Sequence, residues 1–179
     1  MDVIEAEGLT LEPQAAAHAA EMFVVLADSA IYEFENEPPP SLEWLRARFA
    51  RLESRLSADG KERWLNWVIR IPTGELVGYV QATVRPDGHA AIAYELASAY
   101  WGRGLARRAV QAMIAELFAH YRVRGLSAVF KRGNFRSRRL LERLGFAPAS
   151  AEQHRGHGIE PGEMLMVRDL GGELPRGRR

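Results

Sequence analysis

Cysteine is absent from the 179-residue chain. Its absence excludes disulfides, thiolate metal ligands and a cysteine nucleophile, and it suits a reducing compartment. Long apolar runs are missing too. No stretch reaches the roughly 18 consecutive apolar residues that read as a membrane-spanning helix, so no membrane partner is expected. The opening, M-D-V-I-E-A-E, is acidic and has no basic segment leading into an apolar run. No secretory signal is expected there, and the expected compartment is the cytoplasm. A surplus of one charge is also lacking: 24 Lys+Arg stand against 23 Asp+Glu, a formal net charge of +1. So weak an overall field does not draw a protein onto nucleic acid, and no nucleic-acid partner is expected.

What is present is ordinary globular material. The chain is 47% hydrophobic and 26% charged, which with this length allows one domain with a full core and leaves little for a second. The expected domain covers residues 1–170. The end, G-G-E-L-P-R-G-R-R over 171–179, reads as a disordered basic tail. Positive charge is unevenly placed. Arg103, Arg107, Arg108, Arg122, Arg124, Lys131, Arg132, Arg136, Arg138, Arg139 and Arg143 crowd one stretch in which Glu116 and Glu142 are the acids. Either that stretch is a solvated basic face, or it lines a pocket for a small polyanion.

Periodicity gives the elements. Residues 3–11 read as a first strand ended by Pro13, and 15–27 as a helix. The acidic, proline-rich I-Y-E-F-E-N-E-P-P-P reads as a loop. Ser41 is the expected N-cap of a second helix running to about Ser57. Leu65 to Ile71, Leu76 to Val84 and His89 to Leu96 read as strands of an antiparallel meander, separated by the turns P-T-G-E and R-P-D-G. The clearest amphipathic helix follows, from Ala106 to Tyr121, stopped by Gly125. Then come a strand from Leu126 to Phe130, a helix from Asn134 to Leu144 ended by Gly145, and a last strand from Met164 to Val167. The order β-α-α-β-β-β-α-β-α-β predicts an α/β chain with a mixed sheet and helices on its faces.

The junction of strand and helix at Y-E-L-A-S-A-Y-W-G-R-G-L-A carries the chemistry. Gly102 and Gly104 let the backbone approach a ligand closely. The helix that starts at once offers unpaired N–H groups and a partial positive charge. Together these make an anion site suited to phosphates, with Gly102, Arg103, Gly104, Leu105 and Ala106 as backbone donors. Arg103, Arg107 and Arg108 could add charge. The same string also fits a plain tight turn. A dinucleotide fingerprint does not fit, because the preceding strand ends a meander and the region near Arg124 is basic where an acid is needed. No G-K-[ST] follows, so the Walker pattern is absent as well.

W-G-R-G-L-A resembles the Q/R-x-x-G-x-G/A pyrophosphate loop of the GCN5-related N-acetyltransferases, with Trp101 in the Q/R place. N-F-R-S-R-R-L-L-E-R-L-G-F is similar to that superfamily's second signature. The wording of both blocks, L-T-L-E-P near the start and P-P-P-S-L-E-W before the second helix resemble the ribosomal-protein N-terminal acetyltransferase branch. The likeness covers roughly residues 5–170. It implies a single-domain acyl-CoA N-acyltransferase fold with a central, mostly antiparallel mixed sheet. It also implies acetyl-CoA (coenzyme A) as co-substrate, no metal, and direct transfer to an amine in a ternary complex.

By that resemblance a V-shaped gap separates the strand ending at Leu96 from the strand 126–130, and the pantetheine arm lies in it. Glu95 and Leu96 offer backbone groups there. The pyrophosphate rests on Gly102 to Ala106, with Trp101, Arg103 and Arg107 counted among the cofactor-binding residues. Asn134 holds the pantetheine arm or caps its helix, or does both. Ser137 is the candidate to protonate the leaving thiolate, unless it only bonds its own helix backbone. Many relatives carry an acidic tyrosine just before the E-K-L-G-F string, where this chain has Leu141. Relatives often place a basic Glu where this chain has Ala91. Glu95 shares that strand and face, and is the candidate base. Glu33 and Glu35 are candidate walls for a cationic substrate. His154 and His157 are a weaker choice of base, better read as loop residues, and no metal site is expected. Trp44, Trp64 and Trp67 read as core or interface residues. Arg136, Arg138 and Arg139 either bind the cofactor's 3′-phosphate or form an exposed helix face. The acceptor is a small-molecule amine or a protein N-terminus, and the protein a monomer or homodimer. Two other readings stand beside this one: a non-catalytic acyl-CoA-binding domain, and a nucleic-acid module using the arginine face.

Overall fold

A computed structural model of the chain describes residues 1–34 and 37–171. Glu35 and positions 172–179 of the expected tail lie outside the described residues. The strands are β1 (Ile4–Ala6), β2 (Leu9–Pro13), β3 (Arg63–Arg70), β4 (Leu76–Val84), β5 (His89–Leu96), β6 (Gly125–Lys131), β7 (Ala147–Pro148) and β8 (Glu163–Asp169). The helices are α1 (Ala19–Val25), α2 (Leu42–Leu52), α3 (Leu105–Tyr121), α4 (Phe135–Arg143) and α5 (Ala151–Gly156). One mixed sheet holds the strands in the order β1-β2-β3-β4-β5-β6-β8-β7. Among the described residues, no helix is long and apolar enough to cross a membrane.

The alternation seen in the sequence becomes two faces. Leu65, Trp67 and Ile69 of β3, Val80 and Ala82 of β4 and Ala90, Ile92 and Leu96 of β5 pack with the apolar stripe of α3. Each buried Leu, Ile or Val among them contributes about 1.5–3 kcal/mol of burial. On the opposite face Val68 and Leu76 pack with Met22 of α1 and Leu45 and Phe49 of α2.

The β4 and β5 strands have the expected bounds, because turn residues bracket each. Several boundaries differ. The expected first strand is a hairpin, β1 and β2, bent at Gly8 with φ +71°, and Pro13 closes the second strand as its last residue. The first helix opens with a 3-10 turn at Ala16–His18. The second ends at Leu52, short of Ser57, capped by Ser41 as expected. Helix α3 stops at Arg122, which takes a left-handed conformation, so that Val123 turns fully into the core. Gly125 therefore opens β6 and does not end the helix. Two elements were not expected: β7 and α5, the latter started by a capping box of Ser150 and Gln153.

One feature positions the site. Strands β5 and β6 run parallel and pair at His89–Gly125, Ala90–Leu126 and Ala91–Ser127, and there the ladder ends. Beyond Ala91 the strands part, while β5 stays paired to β4 as far as Leu96 and β6 to β8 as far as Lys131.

Candidate active site

The wedge between β5 and β6 opens into a cleft of about 560 Å³. Its walls include β5 from Ile92 to Leu96, β6 from Ala128 to Phe130, the loop from Tyr100, the first turn of α3 and one side of α4. Glu95, Leu96, Trp101, Gly102, Gly104, Leu105, Ala106, Arg107, Asn134 and Ser137 thus meet in one space, while Arg103 does not line it.

At the head of the cleft, Gly104 is the N-cap of α3 with φ +75° and ψ 0°, a conformation that strains any residue with a Cβ. It offers no side-chain cap, and no acid occupies the first turn. The opening N–H groups of a 17-residue helix are therefore left for an outside acceptor. Gly102, also at φ +75°, has nothing within 4 Å of where a Cβ would stand, so the backbone there is open to a ligand. Arg103 reaches back over the Tyr100 ring, 5.3 Å from its centroid. Arg107, Arg139 and Arg143 line the cleft, and among the described residues none of the three is in an ion pair. These observations fit a diphosphate and a further phosphate.

Trp101 is a brace as well as a loop residue. Its indole N–H donates to the Leu96 carbonyl at 2.8 Å, fixing the end of β5 to the loop. That carbonyl is thus already engaged, and the pairing edge left on β5 is that of Ile92 and Tyr94; Glu95, expected to offer backbone groups to the gap, turns them to β4 as Ala93 does. Gly78 on β4 faces the same point. A Cβ there would strike the Glu95 carbonyl oxygen and stand 2.9 Å from Leu96 Cα. Only the missing side chain lets β4 and β5 approach so closely.

On the other wall, Asn134 caps α4: its Oδ1 accepts from the Ser137 N–H at 3.0 Å. Ser137 then faces Tyr94 of β5, whose hydroxyl donates to Ser137 Oγ at 3.1 Å. Burial first, with the charge of Glu95 adding, pushes the Tyr94 phenol up to about 12. Leu141 is buried and apolar at the back of the cleft, so it gives no proton.

Glu95 projects from the opposite face of β5 to Tyr94. It lies beside Tyr79, its register partner on β4, and near Tyr32. Burial, then the Glu95 charge, pushes Tyr32 up to about 12 and holds Tyr79 above the usual phenol range. Both phenols stay protonated. The 28–32 turn that carries Tyr32 is pinned by Asp28, which accepts from the Ser98 N–H at 2.6 Å and the Ala30 N–H at 3.1 Å. The bond from Ser98 holds the Asp28 carboxyl below its ordinary range.

Glu33 and Arg136 pair with each other. Arg136 lines the cleft, lies 4.1 Å over the Trp101 ring and pairs with Glu33 at 2.7 Å, while Glu33 itself does not line it. Arg138 pairs with Glu142 one turn on and does not line the cleft. His154 and His157 do not line it either; His157 stands edge-on to His89, 6.0 Å away. Trp67 is fully buried, while Trp44 is 42% exposed on α2. Among the described residues no three metal-ligating side chains converge. Reading the sequence gave Tyr94, Tyr32, Tyr79 and Gly78 no role. The one available signal was that Tyr94 and Glu95 fall on opposite faces of the strand that enters the glycine loop.

With this geometry in view, residues 8–147 match the family model of the acetyltransferase (GNAT) domain. The chain belongs to that family. Solved GNAT-fold structures superpose along nearly its whole length. RimL, a ribosomal alpha-N-protein acetyltransferase in complex with coenzyme A, has a TM-score of 0.79 at 16% identity, covering 96% of this chain and 99% of that one. RimJ of Mycobacterium smegmatis, in complex with a CoA-disulfide, has a TM-score of 0.77 at 21% identity, covering 97% and 88%. At such identities the likeness is one of fold. The L-2,4-diaminobutyric acid acetyltransferase of Streptomyces avermitilis is 31% identical over 106 residues, 52% of this chain. The chain spans 59% of that relative's length.

Proposed function

We propose that this GNAT protein transfers the acetyl group of acetyl-CoA to an amine, of a small molecule or of a protein N-terminus, by direct attack in a ternary complex. The domain that does so is residues 1–170. The reading requires no metal, nucleic acid or membrane, and a monomer or homodimer in the cytoplasm suits it.

The observation that carries it is the continuity of two features: a wedge with a free strand edge, and an uncapped helix N-terminus at its head. Acetyl-CoA supplies an activated thioester. The turn from Gly102 to Arg107 binds the diphosphate, and Arg139 and Arg143 stand where a further phosphate is held. The β5 edge and the Asn134 amide align the pantetheine arm. A backbone N–H of β5 steadies the thioester oxygen as charge develops on it. Glu95, between two protonated phenols, takes the proton the amine must lose. Ser137 donates a hydrogen bond to the departing sulfur. Full protonation by Ser137 is unnecessary, because a thiol with a pKa of about 8.5 is a far stronger acid than an alcohol. Holding both reactants in one wedge supplies much of the rate. Glu33 can attract a cationic acceptor, with Arg136, its partner at 2.7 Å, competing for its charge.

Calorimetry with coenzyme A on the wild type and on Gly104→Glu tests the cradle. The wild type is expected to bind and the variant to lose binding; equal affinities would remove the phosphate assignment. Thiol release is then followed with a panel of amines: a diamino acid, a polyamine, an aminoglycoside and a peptide with a free N-terminus. Binding without release on any of them would mark a non-catalytic acyl-CoA-binding domain.

A further inference from the structure

Ser137 can spend its single proton in two ways. A serine inside a helix commonly turns its hydroxyl back to a carbonyl one turn earlier, and is then of no use to a ligand. The surroundings decide between the two. Tyr94 comes from β5, on the other wall of the wedge, and brings its hydroxyl to 3.1 Å from Ser137 Oγ, with the Ser137 carbonyl farther off at 3.4 Å. The phenol stays protonated through any working pH, so it has a proton to give. Below, the Ser137 N–H is anchored to Asn134, which fixes the start of α4 and with it the serine. Both side chains line the cleft and are only partly buried.

We infer that Tyr94 is a positioning residue: by donating to Ser137 Oγ it occupies a lone pair of the serine and turns the serine's own proton toward the sulfur of the bound thioester. The inference rests on the acetyl-transfer reading. In the step it serves, the amine nitrogen bonds to the acetyl carbon and the carbon–sulfur bond breaks. The electron pair leaves on sulfur, the amine's proton passes to Glu95 and on to water, and water finally protonates the thiolate. Ser137 and Tyr94 keep their protons throughout. Their chain of two hydrogen bonds, phenol to serine to sulfur, stabilises the charge that sulfur acquires, and each bond polarises the next. The chain thereby fills the place that Leu141 leaves without an acid.

The test is a cycle of Tyr94→Phe, Ser137→Ala and the double variant in the full-length chain. Each single variant is expected to lower kcat about tenfold or more, with the KM for acetyl-CoA and the Kd for coenzyme A within about twofold of wild type. The double variant is expected to lose no more than either single one, because both remove the same chain. A readout independent of turnover is the ultraviolet absorbance of the coenzyme A thiolate in the complex, titrated with pH. The bound thiol is expected to ionise at lower pH on the wild type than free in solution, and to move back up by the same amount in all three variants. A structural role for Tyr94 would move stability and leave that titration unchanged. Additive losses in kcat, or an unshifted thiol pKa in the wild type, would overturn the inference. So would full activity in Ser137→Ala, which reads the contact from its other end even if Tyr94→Phe folds poorly. A wild type that turns over beside an unaffected Tyr94→Phe sinks this inference alone. A wild type that never releases thiol removes the transferase reading and this one with it.

Discussion

Gly78 shows how one missing side chain can shape a site from behind. It lies on β4, a strand away from the wedge, yet a Cβ there would meet the backbone of Glu95 and Leu96. There β5 has already left β6, and the edge it still offers, at Ile92 and Tyr94, is the preceding part of the same strand. Gly78→Ala must push β5 toward the cleft or open the β4–β5 ladder. Overpacking of this kind costs typically about 1–3 kcal/mol. We expect a lower Tm together with weaker coenzyme A binding by calorimetry. A variant that melts lower but binds as tightly as wild type would show that β5 relaxes without moving its free edge. Trp101 works from the front, tying the Leu96 carbonyl to the glycine loop. The two residues clamp the end of β5 from opposite sides.

At the scale of elements, α4 separates two roles that the sequence leaves joined in Asn134. As a cap, its Oδ1 holds the Ser137 N–H. As a cofactor ligand, it would use the other end of the same amide. Asn134→Asp keeps a good cap and removes the amide donor. Its thermal stability should stay near that of the wild type, while coenzyme A affinity falls about tenfold, the equivalent of one lost hydrogen bond with its desolvation. If affinity holds, Asn134 is a cap alone. The same comparison shows what the sequence discloses and what it hides. Turn residues placed β4 and β5, and the glycines and the Asn134 cap marked both helix starts, because each of these is a local rule. The Tyr94–Ser137 contact joins residues 43 apart, and the Arg136–Glu33 pair joins residues 103 apart. No periodicity reports such meetings, since they depend on how far β5 and β6 diverge. The hairpin at Gly8 was hidden because its short strands read as one run. The end of α3 at Tyr121 was legible, but its stop was not: left-handed Arg122, with Val123 buried behind it, does what Gly125 was expected to do.

Across the whole molecule, charge enters stability through a few partly sheltered pairs. Glu12 on β2 accepts from Arg70 on β3 at 2.6 Å, with His18 also in reach at 3.2 Å. The Arg70 hydrogen bond is the main reason its carboxyl lies below the ordinary value of 4.5. The unfolded chain binds that proton more readily than the folded one. The contact therefore contributes fully above about pH 4.5 and fades as the pH falls through the lowered folded value. Melting curves should show Glu12→Gln less stable than wild type at neutral pH, with the difference narrowing in acid. A constant difference at every pH would assign the loss to packing and not to charge.

The three-pair ladder between β5 and β6 has a mechanical side too. Everything from β1 to β5 is stitched together on one flank, and β6 to β8 on the other. Where a full ladder would have welded the flanks, the sheet leaves a hinge line. On the acetyl-transfer reading proposed above, the extended donor arm lodged along that line would add a ninth rib to the sheet and splice the flanks through backbone bonds. On that reading the loaded chain is expected to be stiffer across the line than the empty one.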